Sequence, residues 1–207
     1  DIEAYNLKKK LENVRAGSVC LVHGDLSHPS IPEEIISNAI AHFGRLDLLV
    51  NSASTFYPTV LGNTSIEQFN DLISTNVKAP YFLSQAAANY LMSNNGSIVN
   101  IADIYANRPL KSHSVYSAAK AALLSLTRSL ACELAPSVRV NAIAPGIILW
   151  PAGVEPSKDQ QRLIEQTPLK RMGTTADIAN ALLFFARDAQ FVTGQMLCVD
   201  GGRSIVT

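Results

Sequence analysis

The stretch SIVNIADIYANRPLKSHSVYSAAK, residues 97–120, carries the alternation on which the fold turns. Ser97 to Ala102 is an almost unbroken apolar, β-branched run, the composition of a strand covered on both faces. From Ser114 the residues change to a helical pattern that continues to Ala135. Pro136 ends it, because its ring crowds the preceding turn and it carries no N–H. Working outward, apolar runs of the first kind recur at SVCLVHG (18–24), LDLLVNS (46–52), VRVNAIA (138–144) and QMLCVD (195–200). Helical stretches fall between them, at Pro32 to Phe43, Ser65 to about Met92, Ser114 to Ala135 and Thr175 to Arg187. Strand and helix alternate, which predicts an α/β domain with a parallel sheet and right-handed crossovers.

The 207 residues suit a single domain spanning 1–207 with a substantial core. Seventeen Lys and Arg balance seventeen Asp and Glu, so there is no global pull toward nucleic acid or an acidic membrane, and neither is expected as a partner. No apolar run approaches membrane-spanning length, and DIEAYNLKKKLENV at the N-terminus has no secretory core; the expectation is a cytoplasmic protein. Cys20, Cys132 and Cys198 are far apart and lack metal-ligand spacing, which predicts reduced, mostly buried thiols, no disulfide and no metal. Thr64-Ser-Ile-Glu67 has the spacing of a capping box at a helix start. Ile147 to about Pro156, with Trp150, two prolines and Gly153, reads as a loop or lid over a site.

The most informative spacing is Tyr116-Ser-Ala-Ala-Lys120, which puts a phenol and an ammonium one helical turn apart on one face. An ammonium close by is expected to lower the phenol pKa, so that the pair can pass a proton to or from a carbonyl or imine. Asp103 follows the strand SIVNIA, and Asn51-Ser-Ala-Ser54 follows LDLLV. Both therefore fall at the carboxyl end of a strand, where open α/β sheets bind ligands. Asn76 lies four residues before Pro80, whose ring removes a donor from the Asn76 carbonyl. The freed carbonyl is expected to hold water on a proton path from Lys120; the plain alternative is a proline kink.

Taken together, these positions resemble the short-chain dehydrogenase/reductase family over almost the whole chain. The matching segments are Gly24-Asp-Leu26, Asn51-Ser-Ala-Ser54, Asn76, Val99-Asn-Ile101, Tyr116-x-x-x-Lys120, Arg139-Val-Asn-Ala-x-Ala-Pro-Gly146, Val192-Thr-Gly194 and Asp200-Gly-Gly202. The resemblance implies a Rossmann-like, doubly wound, three-layer parallel sheet. It implies that Asp25 and Leu26 border an adenine, that Asn51, Ser52, Ala53 and Ser54 line the cofactor, and that Pro145 and Gly146 shape the nicotinamide pocket. Tyr116 and Lys120 would transfer the proton and hold the nicotinamide ribose, with Asn76 and Asp103 completing the catalytic set.

Within the family, NSASTFYPTVLG looks like the pteridine reductase signature, and Asp103 stands where most members have serine. A buried aspartic acid can hold or relay a proton to a ring nitrogen, which a serine cannot. The resemblance thus implies an NADPH-dependent reductase of dihydrobiopterin or dihydrofolate, with Ser54, Phe56, Asp103, Tyr116 and Trp150 around the pterin, and a homotetramer. A carbonyl or 3-oxoacyl reductase and a non-catalytic dinucleotide-binding scaffold are the other readings.

Ser52 replaces a second Asn of the family, and Ile147 to Trp150 lacks the usual downstream Thr. No glycine-rich phosphate loop is present between an initial strand and helix. The family picture therefore places the first strand, that loop and the second strand upstream of Asp1. Lys8, Lys9 and Lys10 read as a solvated helix end, with a cofactor phosphate as the second reading.

Overall fold

The computed structural model describes residues 2–149 and 157–206. Four parallel strands form its sheet in the order β1 (Leu48–Asn51), β2 (Ser97–Ile101), β3 (Arg139–Pro145) and β4 (Met196–Val199). The helices are α1 (Ile2–Glu12), α2 (Ile31–Phe43), α3 (Ile66–Ile73), α4 (Ala79–Ser93), α5 (Ser114–Leu134), α6 (Lys158–Gln166) and α7 (Thr175–Leu183). Side chains alternate across each strand, so the sheet has two apolar faces. Ile98 and Val140 pack with Leu83, Ala87, Leu91 and Leu130 of α4 and α5. Val99 and Ile143 pack with Ala181, Phe185 and Ala189 on the opposite side. The expected three-layer arrangement follows directly from near-continuous apolar strands.

Buried polar groups tie these layers together. The Asn51 side-chain amide donates to Asn100 Oδ1 at 2.8 Å, Asn100 donates to Thr127 Oγ1 at 2.9 Å, and Thr127 donates to the Leu123 carbonyl at 2.8 Å. This chain crosses β1, β2 and α5. Asn141 performs the equivalent task at the other edge, donating to the Val192 carbonyl and accepting from Gln195 N. Arg139 donates to the carbonyls of Phe185, Ala186 and Ala189, which closes the end of the helical segment after α7. Motif residues of the Arg139-Val-Asn type thus hold the sheet to its covering helices.

Several sequence expectations are corrected. SVCLVHG (18–24) forms no strand; it is extended chain outside the sheet, partly or fully exposed, because hydropathy selects a strand only where a ladder is available to pair with it. The capping box is one residue later than expected: Ser65 accepts from Gln68 N, and Gln68 Oε1 accepts from Ser65 N. Thr64 instead donates back to the Val60 carbonyl. None of the three thiols is buried; Cys132 is exposed and the other two are intermediate, though all three are free as expected. The Ser65 to Met92 stretch is helical but interrupted by a π turn over Ser74–Lys78, and the last helix ends in a second, Phe184–Asp188. Helix α6 was not expected from the pattern. Trp150 and the rest of 150–156, read as a lid, lie outside the described residues.

Among the described residues no helix is long and apolar enough to cross a membrane, and no cluster of His, Cys, Asp and Glu could hold a metal ion. Leu91 is fully buried between α4 and the sheet. Leu91→Ala is expected to lower the free energy of unfolding by ~2–5 kcal/mol through lost burial and a residual cavity; a urea midpoint unchanged from the parent protein would show that this core is not the one that holds the sheet.

Candidate active site

The carboxyl ends of all four strands lie on one edge of the sheet, and the chain leaves each of them through a residue singled out above. Asn51 ends β1, Asp103 follows β2 by two residues, Pro145 and Gly146 end β3, and Asp200 follows β4. Helix α5 starts against this edge because Thr59 anchors it: the Thr59 hydroxyl accepts from Val115 N, and its backbone N–H donates to the Ser112 carbonyl. Tyr116 and Lys120, in the first two turns of α5, are thereby aimed at the end of β2.

There the Tyr116 hydroxyl donates to Asp103 Oδ2 at 2.7 Å. The other Asp103 oxygen accepts from Tyr105 N at 2.8 Å, capping a short 3-10 turn, so one side chain both caps the turn and contacts the phenol. Lys120 Nζ donates to the Ile101 carbonyl at 3.0 Å and sits 5.6 Å from the centre of the Tyr116 ring. The three groups converge.

Their electrostatics differ from expectation in one respect. Burial, and then the Asp103 carboxylate, push the Tyr116 phenol well above its usual range, whereas an ammonium was expected to lower it. Burial disfavours the phenolate most, and the carboxylate adds to this by direct hydrogen-bond contact, while Lys120 donates to a backbone carbonyl instead. Burial also raises Asp103, against the opposing pull of Tyr105 N, Tyr116 and Lys120. Lys120 is pushed down to about 8, chiefly by burial. Each group is therefore shifted toward its neutral form.

Asn76 lies in the π turn, where Ala79 N–H reaches back to Ser74 O. Its buried side chain donates to the carbonyls of Leu72 and Thr55 and accepts from the Ser54 hydroxyl at 2.7 Å. Pro80 sits in the first turn of α4, so the helix is re-registered by a π turn rather than simply kinked. Ser54 also bears on the Tyr116 hydroxyl, lowering its pKa slightly against the larger upward pushes. In this way the loop after β1 is fastened to the α3–α4 junction and to the phenol.

A cavity of about 280 Å³ opens beside these groups, walled by Phe56, Asp103, Tyr116, Gly146, Ile147 and Leu163 among others. Phe56 is about half exposed, edge-on to Tyr116 at 4.8 Å and stacked on His113 at 4.7 Å. The His113 ring was not anticipated; its position three residues before Tyr116 was the available signal. A second cavity of about 210 Å³ is lined by Leu26, Asn51, Ser52 and Ala53 with residues of α4. Asp25 is exposed, lies outside that lining, and accepts from Ser27 N. Lys9 and Lys10 are exposed on α1, and Lys8 pairs with Glu12 at 3.7 Å.

The chain is similar in sequence and fold to known proteins. A family profile described as enoyl-(acyl carrier protein) reductase matches residues 1–204. The chain belongs to the short-chain dehydrogenase/reductase family. It is 36% identical over 211 residues to the (2S)-[(R)-hydroxy(phenyl)methyl]succinyl-CoA dehydrogenase subunit BbsD of Thauera aromatica, covering 99% of this chain and 85% of that one. It is 33% identical over 174 residues to the 3-oxoacyl-[acyl-carrier-protein] reductase FabG of Thermotoga maritima, covering 82% and 71% respectively. An apo SCOR enzyme of Clostridium thermocellum superposes with a TM-score of 0.84 at 33% identity, over 95% of this chain and 77% of that chain. These relatives make the chain an oxidoreductase of this family.

The pH dependence of stability reports on Lys120. Its folded pKa lies near 8 against an ordinary 10.5, so between those values the unfolded chain binds more protons and stability rises with pH. For the protein without nucleotide this gain reaches at most about 3 kcal/mol. Lys120→Met should lack it, and parallel urea-unfolding curves for the two proteins from pH 8 to 10.5 would show that the ammonium is not desolvated.

Proposed function

We propose that this protein is an NADPH-dependent reductase of dihydropterins, of the dihydrobiopterin or dihydrofolate type. The observation that carries the reading is the contact at 2.7 Å between Tyr116 and an aspartic acid, Asp103, in a cavity that the half-exposed ring of Phe56 also lines. A flat heteroaromatic substrate fits against such a ring. Its ring nitrogen needs a proton, and burial raises Asp103 above its ordinary value, which favours the protonated carboxyl group.

The residues present suit a nicotinamide cofactor. A Cβ on Gly146 would lie 2.8 Å from Asp200 Cα, so the turn after β3 passes tightly along the sheet edge and leaves its open side to a planar ring. The buried Lys120 ammonium uses one proton on Ile101 O and keeps two for a ribose diol. Asn51, Ser52 and Ala53 would border the cofactor along β1, with Leu26 at the adenine. A reduced nicotinamide held by these residues would supply hydride to the carbon of the substrate C=N bond. The nitrogen of that bond takes a proton from the Asp103–Tyr116 pair, and Lys120, titrating near 8, returns one to the pair from solvent. Ser54 and Asn76 orient the phenol for that transfer. NADPH rather than NADH, and assembly as a homotetramer, belong to the same proposal through the resemblance to pteridine reductases.

A second reading is favoured by the FabG relative: reduction of a 3-oxoacyl or simple ketone substrate, with Tyr116 protonating the oxygen. Rates with NADPH on dihydrobiopterin, dihydrofolate and a 3-oxoacyl thioester separate the two. Asp103→Ser is expected to injure pterin reduction selectively, and retention of the full pterin rate would remove the relay. Tyr116→Phe should lower turnover by about 10²–10⁴-fold, the usual worth of a positioned acid; wild-type turnover would show that the phenol is not the acid.

A further inference from the structure

The cavity beside Tyr116 does not end at Asp103. A second hollow of about 170 Å³ is lined by Ile104, Tyr105, Arg108, Gln166 and Arg203, and it shares Ile104, Tyr105 and Arg203 with the first. Neither alone reaches the ~300 Å³ floor of ordinary small-molecule sites, and together they pass it. The extension has a different chemistry from the pterin-sized part. Two arginines, Arg108 and Arg203, line it beside Tyr105 and Gln166, and among the described residues neither arginine forms a salt bridge, whereas Arg45, Arg171 and Arg187 each hold an aspartate.

Both groups are held by backbone carbonyls. Arg108 Nη1 donates to the carbonyls of Arg203 and Ser204 at 3.1 and 3.0 Å, and to that of Val206. Arg203 Nη1 donates to the Leu163 carbonyl at 3.0 Å. Carbonyl acceptors orient a guanidinium without neutralising it. Each arginine therefore keeps its full charge, with Nε and Nη2 uncommitted among the described bonds. The 3-10 turn Arg203–Ile205, which follows Gly202 at a φ of 85°, sets Arg203 where the two hollows meet. A substrate whose flat head lies between Phe56 and the sheet edge would extend its substituent past Ile104 and Tyr105 toward these charges.

We propose that this extension recognises an anionic tail on the substrate, so that the preferred pterins carry carboxylates, as in the glutamate of dihydrofolate, over those with a neutral hydroxylated side chain such as dihydrobiopterin. The inference rests on the pterin reading above and deepens it. Arg203 is the specificity-determining residue, since its guanidinium borders both hollows; Arg108 supports it by fixing the turn that carries it.

The test compares kcat/KM for dihydrofolate and dihydrobiopterin with NADPH, on the full-length protein, at low and high salt. The expected result is a preference for dihydrofolate that shrinks as salt screens the tail contact, with the effect in KM. Arg203→Gln should reduce the ratio of dihydrofolate to dihydrobiopterin efficiency about tenfold, as for loss of one charge-assisted hydrogen bond, and Arg203→Lys should restore part of it. Equal efficiencies that do not respond to salt would overturn the tail site while leaving the pterin reading in place. Turnover of a 3-oxoacyl thioester but of neither pterin would overturn both. Because the salt titration needs no variant, a misfolded Arg203→Gln protein would not remove the test.

Discussion

The parallel sheet is pinned at its centre by side-chain amides. Asn51 at the end of β1 donates to Asn100 of β2, and Asn100 donates to Thr127 of α5. These groups are buried, so leaving one of them unpaired costs on the order of 1–3 kcal/mol, and a one-residue slip of either strand would orphan several at once. Register is thereby fixed in the layer that carries the chemistry. The loop from Ser52 to Phe56 leaves β1 at a defined place, Asp103 leaves β2 at another, and α5 is clamped against both.

At the sheet edge the dominant force is desolvation. Burial raises Asp103 and Tyr116 and lowers Lys120, in each case the largest cause of the shift. Coulombic attraction opposes this for Asp103 and Lys120 without reversing it. A carboxyl, a phenol and an amine are thus held in one small volume, each shifted by burial toward its neutral form, the kind of perturbation that clusters where protons are moved. The arginines of the adjoining hollow contrast with them: they keep their charge and present it at the far end of the same space. The two kinds of group divide the cleft into a part suited to proton transfer and a part suited to holding an anion.

Much of the architecture was legible in residue order. Alternating apolar runs and helical stretches predicted the parallel α/β layers, since a strand covered on both faces must be apolar on both. The Tyr116 to Lys120 spacing needed only helical geometry to place both groups on one face. The failures have physical causes. SVCLVHG has strand composition, but composition does not supply a hydrogen-bonding neighbour. The capping box moved by one residue because Ser65 and Gln68 compete for the same role as Thr64 and Glu67. The upward shift of the Tyr116 phenol was invisible, because it depends first on burial and then on the contact with Asp103, neither of which spacing along a helix contains.

The sequence by itself determined the alternation of strands and helices and the family resemblance, and it singled out the candidate site residues, because those depend on local periodicity and on residue types at set spacings. Only the tertiary structure decided that Ser54, Asn76, Asp103 and Tyr116 form one connected site, that His113 backs Phe56, and that Arg108 and Arg203 share a hollow with it. Those facts join residues far apart in the chain; the Arg108 to Arg203 contact alone spans 95 positions. Proximity of that kind is created by the closing of the sheet and its helices, and no local pattern encodes it.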